Sequence, residues 1–187
     1  VRSALKTGLE FEAQSGVNSY KLGMIGATDS HSGLPSAEEN NFTGKFGFDV
    51  IPENKAPGAF VSELSGWEMS ASGLAAVWAK ENTREEIFAA FRRREVYATT
   101  GPRIALRFFG GFDFTEADLA APDLAAAGYA KGVPMGGDLS GAGAAPAFLI
   151  QAAKDPKGAN LDRVQVVEGW LGPDGQAREK VFDAAWS

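Results

Sequence analysis

Lys21-Leu22-Gly23-Met24-Ile25-Gly26-Ala27-Thr28-Asp29-Ser30-His31-Ser32-Gly33 is the stretch on which the fold reading turns. Its first seven residues are short, apolar and punctuated by glycine, which predicts a buried strand in a parallel sheet or barrel. Gly23 and Gly26 leave room for other backbone to come close. Thr28 to Gly33 then read as the loop beyond the strand's carboxyl end, where such folds build their sites. Extended backbone points residues i and i+2 to the same side. Asp29 and His31 therefore converge on one point and offer a hard oxygen and an imidazole nitrogen to a metal ion. Thr28 and Ser30 can hydrogen-bond these ligands, and Gly33 lets the backbone turn sharply away. His31 is the only histidine of the 187 residues. Two ligands do not complete a site, because a catalytic zinc takes three protein ligands plus water and a two-metal centre needs more.

Upstream, Leu5, Leu9 and Phe11 among polar residues suit a short helix over residues 2–15, ended by Gly8 or Gly16. Downstream, residues 34–72 show little periodicity, with many Gly, Pro, Asn, Ser and Glu residues and scattered aromatics such as Phe42, Phe46, Phe48, Phe60 and Trp67. So long an irregular stretch reads as a functional loop or lid, or as a region that packs on a partner. Thr83-Arg84-Glu85-Glu86 is a capping box and predicts a helix over about 84–94, with Ile87, Phe88 and Phe91 on one face. Arg92, Arg93 and Arg94 fall in its last turn, where positive charge suits the helix dipole; phosphate binding is the sharper alternative for them.

Beyond this helix the period changes from helical to alternating. Val96 to Thr99 reads as a strand, Thr100-Gly101-Pro102 as a turn, and Ile104 to Phe109 as a second strand. Residues 110–145 are loop-rich, with a helical turn near 117–127. Ala147 to Ala153, Leu161 to Leu171 and Glu179 to Trp186 follow as strands, the last two joined across the turn signal Gly172-Pro173-Asp174-Gly175. Short strands with turns between them predict an antiparallel sheet, one layer of a sandwich. No internal repeat is evident.

Composition narrows the function classes. Hydrophobic residues at 44% and charged residues at 22% describe an ordinary globular chain. A net charge of −6 without a basic stripe argues against nucleic-acid binding. No apolar run reaches the roughly 20 residues of a membrane helix, so no membrane partner is expected. The absence of cysteine excludes disulfides, thiolate zinc sites and a cysteine nucleophile, and leaves cytoplasm and periplasm both open. Val1 is not an initiator Met and the sequence stops on a strand pattern, so the chain reads as a fragment of a longer protein.

Other chemistries fit less well. Ser30 and Ser32 flank His31, but adjacent strand residues point to opposite faces and no Gly-x-Ser-x-Gly elbow occurs. Glu38, Glu39, Glu63 and Glu68 supply carboxylates of the kind used in glycoside cleavage, yet acids in polar loops are usually just solvated. Gly132-Val133-Pro134-Met135-Gly136-Gly137-Asp138 lacks the Gly-Lys-Ser/Thr ending of a phosphate loop and reads as a turn.

The run Tyr20 to Gly33 resembles the last metal-binding motif of the polymerase and histidinol phosphatase (PHP) superfamily. Asn82-Thr83-Arg84-Glu85-Glu86-Ile87-Phe88 and Arg92 to Arg103 look like the helix, strand and Thr-Gly-Pro turn that close many PHP-type barrels. With Gly132 to Asp138 and Gly158-Ala159-Asn160-Leu161-Asp162-Arg163, the chain is similar over nearly its whole length to the uncharacterised bacterial family DUF3604.

The resemblance implies an α+β chain: the remnant of a distorted PHP-like β/α barrel over 1–100, then a small antiparallel β-sandwich-like domain over 101–187. It implies a metal-dependent hydrolase acting on a small-molecule phosphoester, with divalent ions (Zn, Mn, Fe or Mg). Asp29 and His31 are the two ligand positions that carry over. The superfamily's early His-x-His pair and its middle His and Glu have no counterpart, so the remaining ligands are expected upstream and the isolated fragment is expected to be inactive. Open barrel edges predict a homo-oligomer. The competing expectation is a non-catalytic β-rich binding module, with Trp170 and Trp186 contacting carbohydrate or a partner chain; a third is a structural brace. Core packing is the plain alternative for those tryptophans.

Overall fold

The structure, a computed structural model, describes residues 1–33, 42, 44–48, 50–55, 68, 69, 73–141 and 144–186. The acids Glu38, Glu39 and Glu63, the aromatics Phe60 and Trp67, and most of the irregular stretch over 34–72 lie outside the described residues. Two compact units form, Val1–Gly23 with Lys157–Ser187 and Met24–Pro156.

The first unit holds α1 (Arg2–Ser15), β6 (Arg163–Leu171) and β7 (Ala177–Trp186). Gly16 rather than Gly8 ends α1, adopting φ 76° and donating its N–H to the Glu12 carbonyl. Gly8 instead leaves space for a neighbouring side chain, since a Cβ there would collide with Asn18 Oδ1. β6 and β7 pair antiparallel as expected, and the turn is closed by Gly172 N–H to the Gln176 carbonyl at 2.9 Å. Helix and hairpin are tied by Ala177 N–H donating to Glu10 Oε1 at 2.9 Å and by Lys6 against Glu179 at 3.1 Å.

The second unit contains β1 (Leu74–Val77), α2 (Arg84–Arg92), β2 (Val96–Thr99), β3 (Ala105–Gly111), α3 (Glu116–Leu119), α4 (Leu124–Lys131), β4 (Gly132–Pro134) and β5 (Ala147–Ala153). β1 pairs with β2, and β3 lies between β4 and β5. The core sits where the central strand β3 meets α4: Phe109 and Leu149 are almost fully enclosed, with Leu124 beside them. Gly128 lets the helix come down on the Phe109 ring, since a Cβ there would lie 2.5 Å from ring carbons.

Thr83 caps the start of α2, with Glu86 N–H donating to Thr83 Oγ1 at 3.3 Å, the first half of the expected capping box. The apolar face turns differently from the expectation, because Ala90 is fully buried while Phe88 is 62% exposed. The helix ends in a Schellman arrangement, Glu95 N–H to the Ala90 carbonyl and Arg94 N–H to the Phe91 carbonyl. Arg94 occupies its left-handed position at φ 61°, where glycine is usual.

The chain is α+β, as expected, with three small sheets of two, three and two strands among the described residues. Other expectations are corrected. Every strand pairing among the described residues is antiparallel and no barrel closes there. The sandwich expected over 101–187 is instead a three-stranded sheet in one unit and a hairpin in the other. The compact units do not break at residue 100, because Trp78 Nε1 donates to the Leu106 carbonyl at 2.8 Å and the Tyr97 hydroxyl donates to the Ile104 carbonyl at 2.8 Å.

Lys21–Ala27 forms no strand, and Leu22, Met24 and Ile25 are exposed. A strand exists only with a ladder partner, and this segment joins none of the three sheets among the described residues. The glycine argument nevertheless holds at Gly26, where a Cβ would lie 2.7 Å from the Leu74 carbonyl oxygen.

Candidate functional site

Asp29 and His31 come together, but not by the extended geometry expected. Asp29 is left-handed at φ 55°, a conformation its short polar side chain tolerates better than most. The turn brings Asp29 Oδ1 to 4.0 Å from His31 Nε2. Two contacts hold His31: its backbone N–H donates to the Lys45 carbonyl at 2.6 Å, and its ring stacks on Phe46 with centroids 4.6 Å apart. Phe46 in turn stacks on Phe48 at 5.4 Å. The Lys45 ammonium lies 3.3 Å from Asp29 Oδ2, opposing the carboxylate's charge.

The neighbouring hydroxyls organise the loop and not the ligands. Thr28 Oγ1 accepts from the Ser30 N–H at 3.3 Å, and the Ser30 and Ser32 hydroxyls bond to each other at 2.9 Å.

One ion about 2.1 Å from each donor can span at most about 4.2 Å between them, so the observed 4.0 Å separation admits a shared ion. Both side chains are solvent-accessible, at 67% for Asp29 and 53% for His31. The chemistry of the pair fits two positions of a divalent site, but among the described residues no third histidine or acid joins them. The contacts of Lys45 and Phe46 with this loop were not legible in the sequence, because the two residues lie 14 and 15 positions beyond His31, in a stretch whose lack of period hides which residues return to the loop.

A family model described as "Protein of unknown function (DUF3604)" matches residues 1–187, and the chain belongs to that family. No curated protein and no solved structure matches it. No helix among the described residues is long and apolar enough to cross a membrane.

Proposed function

We propose that this DUF3604 chain is the portion of a PHP-like metal-dependent hydrolase, acting on phosphoesters, that contributes Asp29 and His31 to a divalent-metal centre. The observation that carries the reading is the convergence of a carboxylate and an imidazole on one exposed point, with the His31 backbone bonded to the Lys45 carbonyl and its ring stacked on Phe46. Side chains already positioned lose less freedom when they bind. A bound ion would supply Lewis acidity, drawing charge from a phosphoryl oxygen and making water a better nucleophile. Lys45 balances the Asp29 carboxylate until a stronger cation replaces it. Donors beyond the described residues complete the coordination, and activity belongs to the protein that contains them.

The test is hydrolysis of para-nitrophenyl phosphate by the intact protein carrying this chain, with Mn²⁺ or Zn²⁺, in wild type and in Asp29→Asn and His31→Gln. Loss of at least about 100-fold in either variant is expected, the range seen when groups that hold charge at a reacting centre are removed. Wild-type rates in both variants, with metal content also unchanged, would end the proposal. Asparagine is the informative replacement at residue 29, since it removes the charge while tolerating the left-handed backbone.

The binding-module reading keeps one specific observation. Trp186 is 63% exposed, and Trp170 and Phe182 are exposed as well. The register places Trp170 and Phe182 on one face of the hairpin, through the pairs Trp170↔Arg178 and Val166↔Phe182. Quenching of tryptophan fluorescence by an oligosaccharide, abolished in Trp170→Ala, would favour this reading; no response across neutral and acidic sugars would remove it.

A further inference from the structure

A cavity of about 430 Å³ opens between the end of β1, the end of α2, β3 and α4, lined by Trp78, Ala79, Lys80, Arg93, Glu95, Arg107 and Tyr129. It shares no residue with the Asp29–His31 pair. Its walls are mostly apolar, and its size is that of a small-molecule site.

The polar groups are ordered around a buried carboxylate. Glu95 is 3% exposed, placed there by the Schellman end of α2. Its Oε1 accepts from the Tyr129 hydroxyl, and its Oε2 accepts from Arg93 Nε and Nη2 at 3.4 Å each. The Tyr129 hydroxyl in turn accepts from Arg107 Nη1 at 3.1 Å. Burial and then the neighbouring Glu95 hold Tyr129 above the ordinary phenol range, so it remains the donor to that carboxylate. Arg107 lies over the face of Trp78, its guanidinium carbon 3.3 Å from the ring centroid, and the indole is pinned by its bond to the Leu106 carbonyl. Such stacking leaves a guanidinium's edge available for an anion.

The charges do not balance inside this ring. Lys80, Arg93 and Arg107 face a single acid, Glu95, whose two oxygens are already engaged. Arg107 makes one hydrogen bond, through Nη1, and Lys80 has no hydrogen-bond or ion-pair partner among the described residues. A cavity carrying surplus positive charge stands out in a chain whose net charge is −6. Unused guanidinium donors favour a planar or tetrahedral oxyanion, and the apolar wall favours a ligand with a flat carbon body.

We propose that this cavity is a binding site for a small organic anion, whose carboxylate or phosphate head meets Lys80 and the unused N–H groups of Arg107 and Arg93 and whose apolar body lies by Trp78 and Tyr129. Tyr129 and Glu95 hold Arg107 in place for this contact. The site needs no metal and stands independently of the hydrolase reading.

The experiment is calorimetric titration of the metal-free protein with phenyl phosphate, benzoate and inorganic phosphate. One of the two aromatic anions should saturate below about 1 mM, and the tighter of the two identifies the head group. Inorganic phosphate should bind at least about tenfold more weakly than the preferred aromatic anion, a difference assigned to the apolar wall. Lys80→Gln, an exposed position whose change leaves the packing intact, should weaken binding about fivefold, as should Arg93→Gln; Arg107→Gln should abolish it. Absence of saturation by both aromatic anions up to about 10 mM would overturn the proposal. So would binding that is unchanged in both Lys80→Gln and Arg93→Gln, two variants that do not depend on whether Arg107→Gln folds.

Discussion

Gly128→Ala sets two effects of opposite sign against each other. In a helix interior, alanine is favoured over glycine by about 1 kcal/mol, so on propensity alone the change should strengthen α4. The added Cβ, however, would lie 2.5, 2.5 and 2.7 Å from Cδ2, Cγ and Cδ1 of Phe109. These atoms are at the base of the ring. Rotating the ring does not move Cγ, and Phe109 is 1% exposed on the central strand of its sheet, so β3 or α4 must shift. Overpacking of this kind costs about 1–3 kcal/mol, and the attachment-end clash argues for the upper value. The net expectation is a loss of about 2 kcal/mol, the difference between these two terms. Amide hydrogen exchange of β3 and β5 reads that unit directly, and protection there should fall about 30-fold. Gly128→Ala combined with Phe109→Leu should recover part of the loss, a coupling that two unrelated defects would not show. Unchanged or increased protection in Gly128→Ala would refute the reasoning, since it would mean the helix term prevails and the contact is loose.

Three further outcomes follow from local geometry. Thr83→Ala removes the hydroxyl that accepts from Glu86 N–H and should cost about 1 kcal/mol, read as faster exchange across the first turn of α2. Arg94→Gly should stabilise by about 1 kcal/mol, because φ 61° is strained for arginine and its ion pair with Asp138, at 3.5 Å, is a surface contact worth little; a lower urea midpoint would contradict this. Asp118 is held below the ordinary carboxylate value of 3.8 first by its hydrogen bond from Lys131, then by the Thr115 N–H. A depressed folded value means the stabilisation is complete above the unfolded pKa and is lost as pH falls through the folded one. Asp118→Asn should therefore lower Tm at pH 7, with the gap to wild type closing in acid; a gap that does not change with pH would contradict this.

Where the deciding information was local, the sequence was a good guide. The Thr83 cap and the Gly-Pro-Asp-Gly turn each act over four residues, and α2 and the β6–β7 hairpin formed where they indicated. Lys21–Ala27 failed for the opposite reason, since an apolar run becomes a strand only beside a partner that no local pattern reveals. The apolar face of α2 also turned, because what packs on a helix decides which side is buried. At the candidate centre, the residue types were readable at Asp29 and His31, but the left-handed turn and the support from Lys45 and Phe46 were not. The charged cavity was hidden still more thoroughly, since Trp78, Glu95, Arg107 and Tyr129 are far apart in sequence and meet only after β1, β3 and α4 pack.

The most direct test of the metal-centre proposal is the metal content of the intact protein after equilibration with Mn²⁺ or Zn²⁺ and removal of free ions, measured by mass spectrometry in wild type and in Asp29→Asn/His31→Gln. The account predicts stoichiometric metal in the wild type and loss of at least one equivalent in the double variant, with the fold retained. Metal-free wild type, or equal metal in both proteins, would contradict it and leave His31 as a ring stacked on Phe46 with no catalytic part.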